Sequence, residues 1–204
     1  PNARWNAGIV WAPLTGPGER YIKVHPVPFG EYLPLRDLLA PRIDAFDRIA
    51  RDFLPGDAPG LLEMAGVRIG NAICFEVAYD DVMNDLMDGG AQLLTVQTNN
   101  ATFGERGQPQ QQYAIERLRA IQGAIPLAVA STTGISGLIA ADGTSIARMD
   151  EGSTGSLVAT VSLADGTTVG AHLRSWPELV LSITALAAAV WSVAGARRRE
   201  RRVG

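Results

Sequence analysis

The stretch VRIGNAICFEV, residues 67–77, decides how the chain is read. Val67 to Ile73 opens and closes on β-branched residues and predicts a buried strand. The apolar run stops at Cys74, and a helix is expected from Val77 to Met87. The thiol therefore stands where a buried strand ends and the chain turns, the place where layered α/β folds present reactive groups. Cys74 is the only cysteine, so it forms no internal disulfide. Taken alone, such a thiol reads as a small core residue, because free cysteines are usually buried. The other reading is a nucleophile, and the rest of the chain decides between them.

Outward from this segment, strands and helices alternate. Strands are expected at Trp5–Trp11 and, after a turn at Gly16-Pro17-Gly18, at Glu19–Lys23. Pro26, Pro28, Gly30 and Pro34 make Val24–Pro34 an ordered loop. Asp37–Phe53 is expected to be helical in part, with Pro41 near an N-terminus, and Pro55–Gly60 is a loop. Gln92–Gln97 reads as a second buried strand. Pro109 opens a helix to Gly123. Tyr113, Ile115, Leu118 and Ile121 are its expected core stripe, with Glu116, Arg117 and Arg119 on its polar side. Strands follow at Leu127–Ser131 and Ser136–Ala140, then at Ser145–Arg148 after an Asp142-Gly143 hairpin turn, and at Ser156–Val161. The alternation predicts an α/β layered domain.

The 204 residues are 47% hydrophobic and 19% charged, which excludes a disordered chain. Five arginines and one glutamate give residues 197–204 a charge of +4, leaving -7 on the remainder for a total of -3. An acidic body excludes nucleic acid as partner. Two histidines and no Cys/His cluster leave no zinc site. Leu179–Ala196 runs without a charge. As a helix it would span ~27 Å, close to a hydrocarbon core. Trp176 and Trp191 sit near its ends as interfacial aromatics do, and the arginines that follow place the C-terminus in the cytoplasm. Residues 177–196 are thus expected to cross a membrane, with residues 1–174 outside and 197–204 as a cytoplasmic tail. No signal peptide is visible, and the opening at Pro1 without Met reads as part of a longer protein.

The second informative stretch is YIKVHPVPFGEY, residues 21–32. Lys23 ends a strand and faces a rigid Pro/Gly loop that holds Glu31 between Phe29 and Tyr32. The pattern Tyr21-x-Lys23-x-His25-x-Val27-Pro28-Phe29-Gly30-Glu31-Tyr32, with Ile73-Cys74-Phe75-Glu76 beyond it, resembles the carbon–nitrogen hydrolase (nitrilase) superfamily. It is similar in particular to the C-terminal part of bacterial apolipoprotein N-acyltransferases. Thr98-Asn99-Asn100-Ala101-Thr102-Phe103, Gln111–Arg119 and Thr132-Thr133-Gly134-Ile135 add to the resemblance.

The resemblance implies an αββα sandwich, incomplete at its N-terminus, with a Glu–Lys–Cys triad. Cys74 matches the nucleophile, Lys23 the catalytic lysine and Glu31 a second glutamate that holds the lysine in register. Phe75, Glu76 and Asn99 match supporting positions, and many relatives carry Tyr where this chain has Phe75. The chemistry agrees. A nearby ammonium and a helix N-terminus favour the thiolate. The Lys23 ammonium and the Phe75 N–H suit a developing oxyanion.

The implied reaction moves an acyl chain from a phospholipid to Cys74, then to the N-terminal amine of a diacylglyceryl-cysteine lipoprotein, without metal or cofactor. It implies a monomeric enzyme of the plasma membrane, multi-pass, with its catalytic domain outside. The family's general-base glutamate lies upstream of the Lys loop, and no residue of this chain matches it. Glu19 lies too near Lys23. The chain alone is therefore expected to be inactive. A small-substrate amidase, or a non-catalytic membrane-tethered scaffold, are the alternatives. His25 reads as a structural hydrogen-bonding residue, and Asp80, Asp81 and Asp85 as a solvated helix face.

Overall fold

The computed structural model describes residues 4–42, 51–101 and 107–203, with side chains of 42 and 193–203 excepted. Part of the helix expected after Asp37, Thr102 and Phe103 of the Asn motif, and the side chains of the basic tail lie outside these residues. The chain forms two units, residues 1–168 and 169–204.

In the first unit a hairpin of β1 (Ala7–Ala12) and β2 (Gly16–Ile22) stands apart from a six-stranded sheet. The sheet runs β3 (Leu61–Met64), β4 (Val67–Ile73), β5 (Leu93–Thr98), β6 (Leu127–Ser131), β7 (Ser136–Ile139) and β8 (Ser145–Met149), in that order. β4, β5 and β6 are parallel, and the outer pairs are antiparallel. Parallel neighbours need crossovers, supplied here by α2 (Asp80–Asp88) and α3 (Gln108–Gly123). α2 packs on β4 and α3 on β6. The short α1 (Arg36–Leu39) and a 3-10 turn at Ala40–Arg42 hold Pro41.

Side chains alternate across β4. Gly70 and Ala72 face the helices, while Ile69, Asn71 and Ile73 face the hairpin. There Tyr21, Leu62, Ile69 and Ile73 form a buried cluster, joined by Val10, Val24 and Cys74. The hairpin approaches closely because Gly8 has no side chain: a Cβ there would lie 2.1 Å from Asn71 Oδ1. Helix layer, sheet and hairpin make the nitrilase-like α/β fold expected from the sequence.

Several local expectations are corrected. Gly16-Pro17-Gly18 belongs to β2, and the turn is Pro13–Thr15. The helix expected from Val77 begins at Asp80, after a 3-10 turn at Cys74–Ala78. β3 was not anticipated, and Ser156–Val161 forms no strand. In α3 the buried residues include Gln112, Tyr113 and Glu116, whereas Leu118 and Ile121 are exposed. Tyr113 is buried and Arg117 exposed as expected, but Leu118 and Ile121 of the expected core stripe face out and Glu116 of the expected polar side is buried.

The second unit holds α4 (Val169–Leu173) and α5 (Trp176–Val203). Among the described residues no helix is long and apolar enough to cross a membrane. In α5 the described side chains run to Ser192, all exposed, and the uncharged run continues past them to Ala196.

Candidate active site

The parallel strands β4, β5 and β6 end side by side, since Ile73 pairs with Gln97 and Thr98 with Ser131. Cys74 follows directly on β4. Its backbone changes abruptly, from extended at Ile73 (φ -115°, ψ 116°) to left-handed at Cys74 (φ 57°), and then enters the 3-10 turn. A left-handed non-glycine residue is strained by about 1–3 kcal/mol and persists only where its surroundings fix it. Such a turn aims its side chain away from the strand and places the first N–H groups of a helical turn beside it.

Glu76, fully buried, is the fixing group. Its Oε2 accepts from the N–H of Ile73 (2.8 Å). Its Oε1 accepts from Tyr21 Oη (2.8 Å), the N–H of Val24 (2.8 Å) and the N–H of His25 (3.0 Å). One carboxylate thereby latches the Cys74 turn to the loop that carries Lys23. Burial, and next the Glu76 charge, push the Tyr21 phenol well above its usual range, so Tyr21 stays a hydrogen-bond donor.

Lys23 is 1% exposed, and its ammonium meets both oxygens of Glu31 at 3.0 and 2.8 Å. Glu31 also accepts from the N–H of Val27 (2.7 Å) and from Asn6 Nδ2. The carbonyl of Asn6 accepts from the N–H of Lys23 (2.9 Å). A buried ammonium needs a partner of this kind, and the paired Lys–Glu satisfies it. The chain at 53–56 lies along this loop, with the N–H of Phe53 bonded to Glu31 O and that of Gly56 to Lys23 O. A groove of about 440 Å³ opens here, lined by Val24, Pro28, Phe53, Leu54 and Tyr79 among others.

His25 behaves as the structural residue expected: its ring stacks on Tyr79 at 4.4 Å and its Nε2 lies 2.8 Å from Asp81 Oδ2. Asp80, Asp81 and Asp85 are exposed, as expected of a solvated helix face, and two of them have partners besides: Asp81 meets His25, and Asp80 pairs with Arg119 at 2.6 Å. Burial alone would raise the Asp81 carboxyl, but the His25 hydrogen bond and the Val82 N–H leave it below its usual range. Phe75 is exposed and meets Tyr79 edge-on at 6.0 Å. Asn99 stands at the end of β5, where its Oδ1 accepts from the N–H of Ala101 (3.1 Å) and from Thr133 Oγ1 (3.5 Å).

The structure thus gathers Lys23, Glu31, Glu76 and the Cys74 turn into one bonded unit. It leaves Asn99 on the adjacent rim, bonded to the loop residues Ala101 and Thr133. Sequence reasoning missed Asn6, which it placed inside the expected strand Trp5–Trp11, whereas β1 begins at Ala7. It also missed a buried polar chain under the strand ends. Glu116 Oε1 accepts from Gln112 Nε2 (2.9 Å), and Gln112 Oε1 accepts from Asn100 Nδ2 (3.2 Å). Asn100 Oδ1 in turn accepts from Ser131 Oγ (3.1 Å). Glu116 is 1% exposed, and burial pushes its carboxyl up to about 8.

The sequence model of the family described as carbon-nitrogen hydrolase matches residues 1–171, and the chain belongs to that family. It is 45% identical over 145 residues to the apolipoprotein N-acyltransferase of Mycolicibacterium smegmatis, covering 71% of this chain and 24% of that protein. To the apolipoprotein N-acyltransferase of Pseudomonas paraeruginosa it is 34% identical over 206 residues, covering 99% of this chain and 39% of the other. Among solved structures, Saccharomyces cerevisiae Nit3, a member of the nitrilase superfamily, superimposes with a TM-score of 0.53 at 16% identity. That match covers 74% of this chain and 51% of Nit3, and it shows the shared fold. The chain spans between a quarter and two fifths of the length of the two N-acyltransferases.

Proposed function

We propose that this chain carries the nucleophile and the lysine of an apolipoprotein N-acyltransferase. The observation that carries the reading is the buried Lys23–Glu31 pair, latched through Glu76 to a thiol on a strained turn. The Cys74 sulfur attacks the ester carbonyl of a phospholipid, and the thiol proton passes to a base. Lys23 and the N–H of Phe75 stabilise the oxyanion of the tetrahedral intermediate. Collapse of the intermediate releases a lysophospholipid and leaves a thioester. The α-amine of a diacylglyceryl-cysteine lipoprotein then attacks the thioester, forming an amide and restoring the thiol. Glu31 holds Lys23, and Asn99 lines the rim. No described residue is assigned the general base, and this chain by itself is expected to be inactive.

The names of the relatives support this substrate class, as does the apolar groove beside the Lys23 loop, which suits an acyl chain. α5 supports it as well. Its described side chains from Leu179 to Ser192 carry no charge and are all exposed, as lipid-facing residues are. On this reading residues 177–196 cross the plasma membrane, the arginines lie in the cytoplasm, and the catalytic domain lies outside. A small-amide hydrolase would use the same turn but has no need of that helix.

The test is made in a protein of the relatives' full length that contains this chain, incubated with a palmitoyl phospholipid. A hydroxylamine-labile adduct on Cys74 is expected, and Cys74→Ser abolishes it. An adduct that persists in Cys74→Ser removes Cys74 as the nucleophile.

A further inference from the structure

We infer that Arg119 is a positioning residue for the Cys74 turn: its guanidinium closes the carbonyl end of the 3-10 turn that begins at the thiol. The inference rests on the reading of Cys74 as the nucleophile. A short helical turn leaves its last carbonyls without intrahelical donors. Here Arg119 Nε donates to Val77 O (2.8 Å) and Nη2 to Ala78 O (2.9 Å). Nη2 also pairs with Asp80 Oδ1 (2.6 Å), at the first residue of α2, and Nη1 donates to Gln122 Oε1 (2.7 Å). The side chain is only 11% exposed, so water competes little for these bonds.

The arrangement matters because the left-handed conformation of Cys74 must be over-determined by its neighbours. Glu76 fixes the start of the turn, through Ile73, and the flanking loop, through Val24 and His25. Arg119 fixes its end from a different layer of the fold, since it stands on α3. The planar fork reaches two carbonyls and a carboxylate at once. A lysine, one compact point charge on a flexible stem, cannot do so. Released at its end, the turn relaxes toward ordinary backbone, and the N–H groups that suit the thiolate and the oxyanion lose their aim.

The test uses iodoacetamide on the purified chain in detergent. It reads thiol reactivity, so failure of the acyl-transfer reading leaves the test intact. At a temperature where each variant is fully folded by circular dichroism, Arg119→Ala is expected to slow alkylation of Cys74 about tenfold. Arg119→Lys, which keeps the charge but gathers its donors on a single nitrogen, recovers part of that loss. In the full-length protein, Arg119→Ala lowers kcat with KM unchanged. Alkylation that stays within twofold of native, or quickens, in folded Arg119→Ala overturns the inference and leaves Arg119 a stabilising residue only. A rise in KM with kcat preserved overturns it too.

Discussion

Glu116→Gln is the sharpest test of the buried polar layer beneath the strand ends. The Glu116 carboxyl is raised from 4.5 to about 8, first by burial, with the Gln112 hydrogen bond opposing. Its Oε2 has no partner among the described residues, and a neutral hydroxyl costs less to bury there than a charge. In the folded state the group keeps its proton up to about pH 8, whereas the unfolded chain releases it near 4.5. Between those values the folded state holds more protons, so stability falls as pH rises. The slope is about 1.4 kcal/mol per pH unit, and the total is of the order of 5 kcal/mol by pH 8. For a domain of this size that is a fall in Tm of about 10–20 °C. Glutamine keeps the Oε1 acceptor for Gln112 and cannot ionise, so this fall disappears in the variant. Thermal melts of both proteins from pH 5 to 9 make the comparison. Curves that run parallel across the range refute a neutral, buried Glu116.

Lys23→Ala is expected to slow acylation of Cys74 by roughly 10²-fold, the loss of one oxyanion donor, measured by adduct formation; a loss under threefold removes Lys23 from the chemistry. Glu76→Gln sets an amide NH₂ against one or more of the four donors that converge there. It is expected to cost about 2–4 kcal/mol in urea unfolding, and a cost under 1 kcal/mol would show that the latch is not held by this carboxylate. Gly134→Ala brings a Cβ to 2.5 Å from Asn100 Oδ1 and 2.8 Å from Ser131 Oγ. A loss of about 1–3 kcal/mol is expected by denaturant titration, and an unchanged midpoint would mean that the 131–134 loop is free to shift.

The parts of the fold legible in the sequence are those set by local chemistry. β4 matched residue for residue because its apolar run ends sharply at Cys74. The Lys23 loop was legible because its prolines and glycine admit no regular element. β3 was overlooked because four residues, Leu61–Met64, carry too little pattern, although Ala65 and Gly66 adopt the positive φ values (54° and 78°) of a tight hairpin turn. Ser156–Val161 has strand-like composition but no pairing strand, and composition alone does not make a ladder.

α3 misled for a deeper reason. Periodicity assigns polar residues to water, yet Gln112, Glu116 and Arg119 serve acceptors and donors inside the fold. Their partners Asn100 and Val77 are supplied by distant segments that periodicity does not see. In the candidate site, Cys74, Lys23, Glu31 and Glu76 could be picked out from residue type and the family pattern, and the structure brings them together. Asn6 and Arg119 could not, because their roles exist only once separate elements meet.

The left-handed backbone at Cys74 makes that position a point of conflict between durability and chemistry. Glycine tolerates φ 57° without the Cβ penalty that the thiol-bearing residue incurs. Cys74→Gly is therefore expected to raise the unfolding midpoint while deleting the sulfur. A library of this chain screened for thermal survival alone would drift toward glycine or asparagine there. It would return sturdier proteins without the proposed nucleophile, so an engineer seeking a hardier variant for the proposed chemistry must hold this one position fixed and look for stability in the sheet and helices around it.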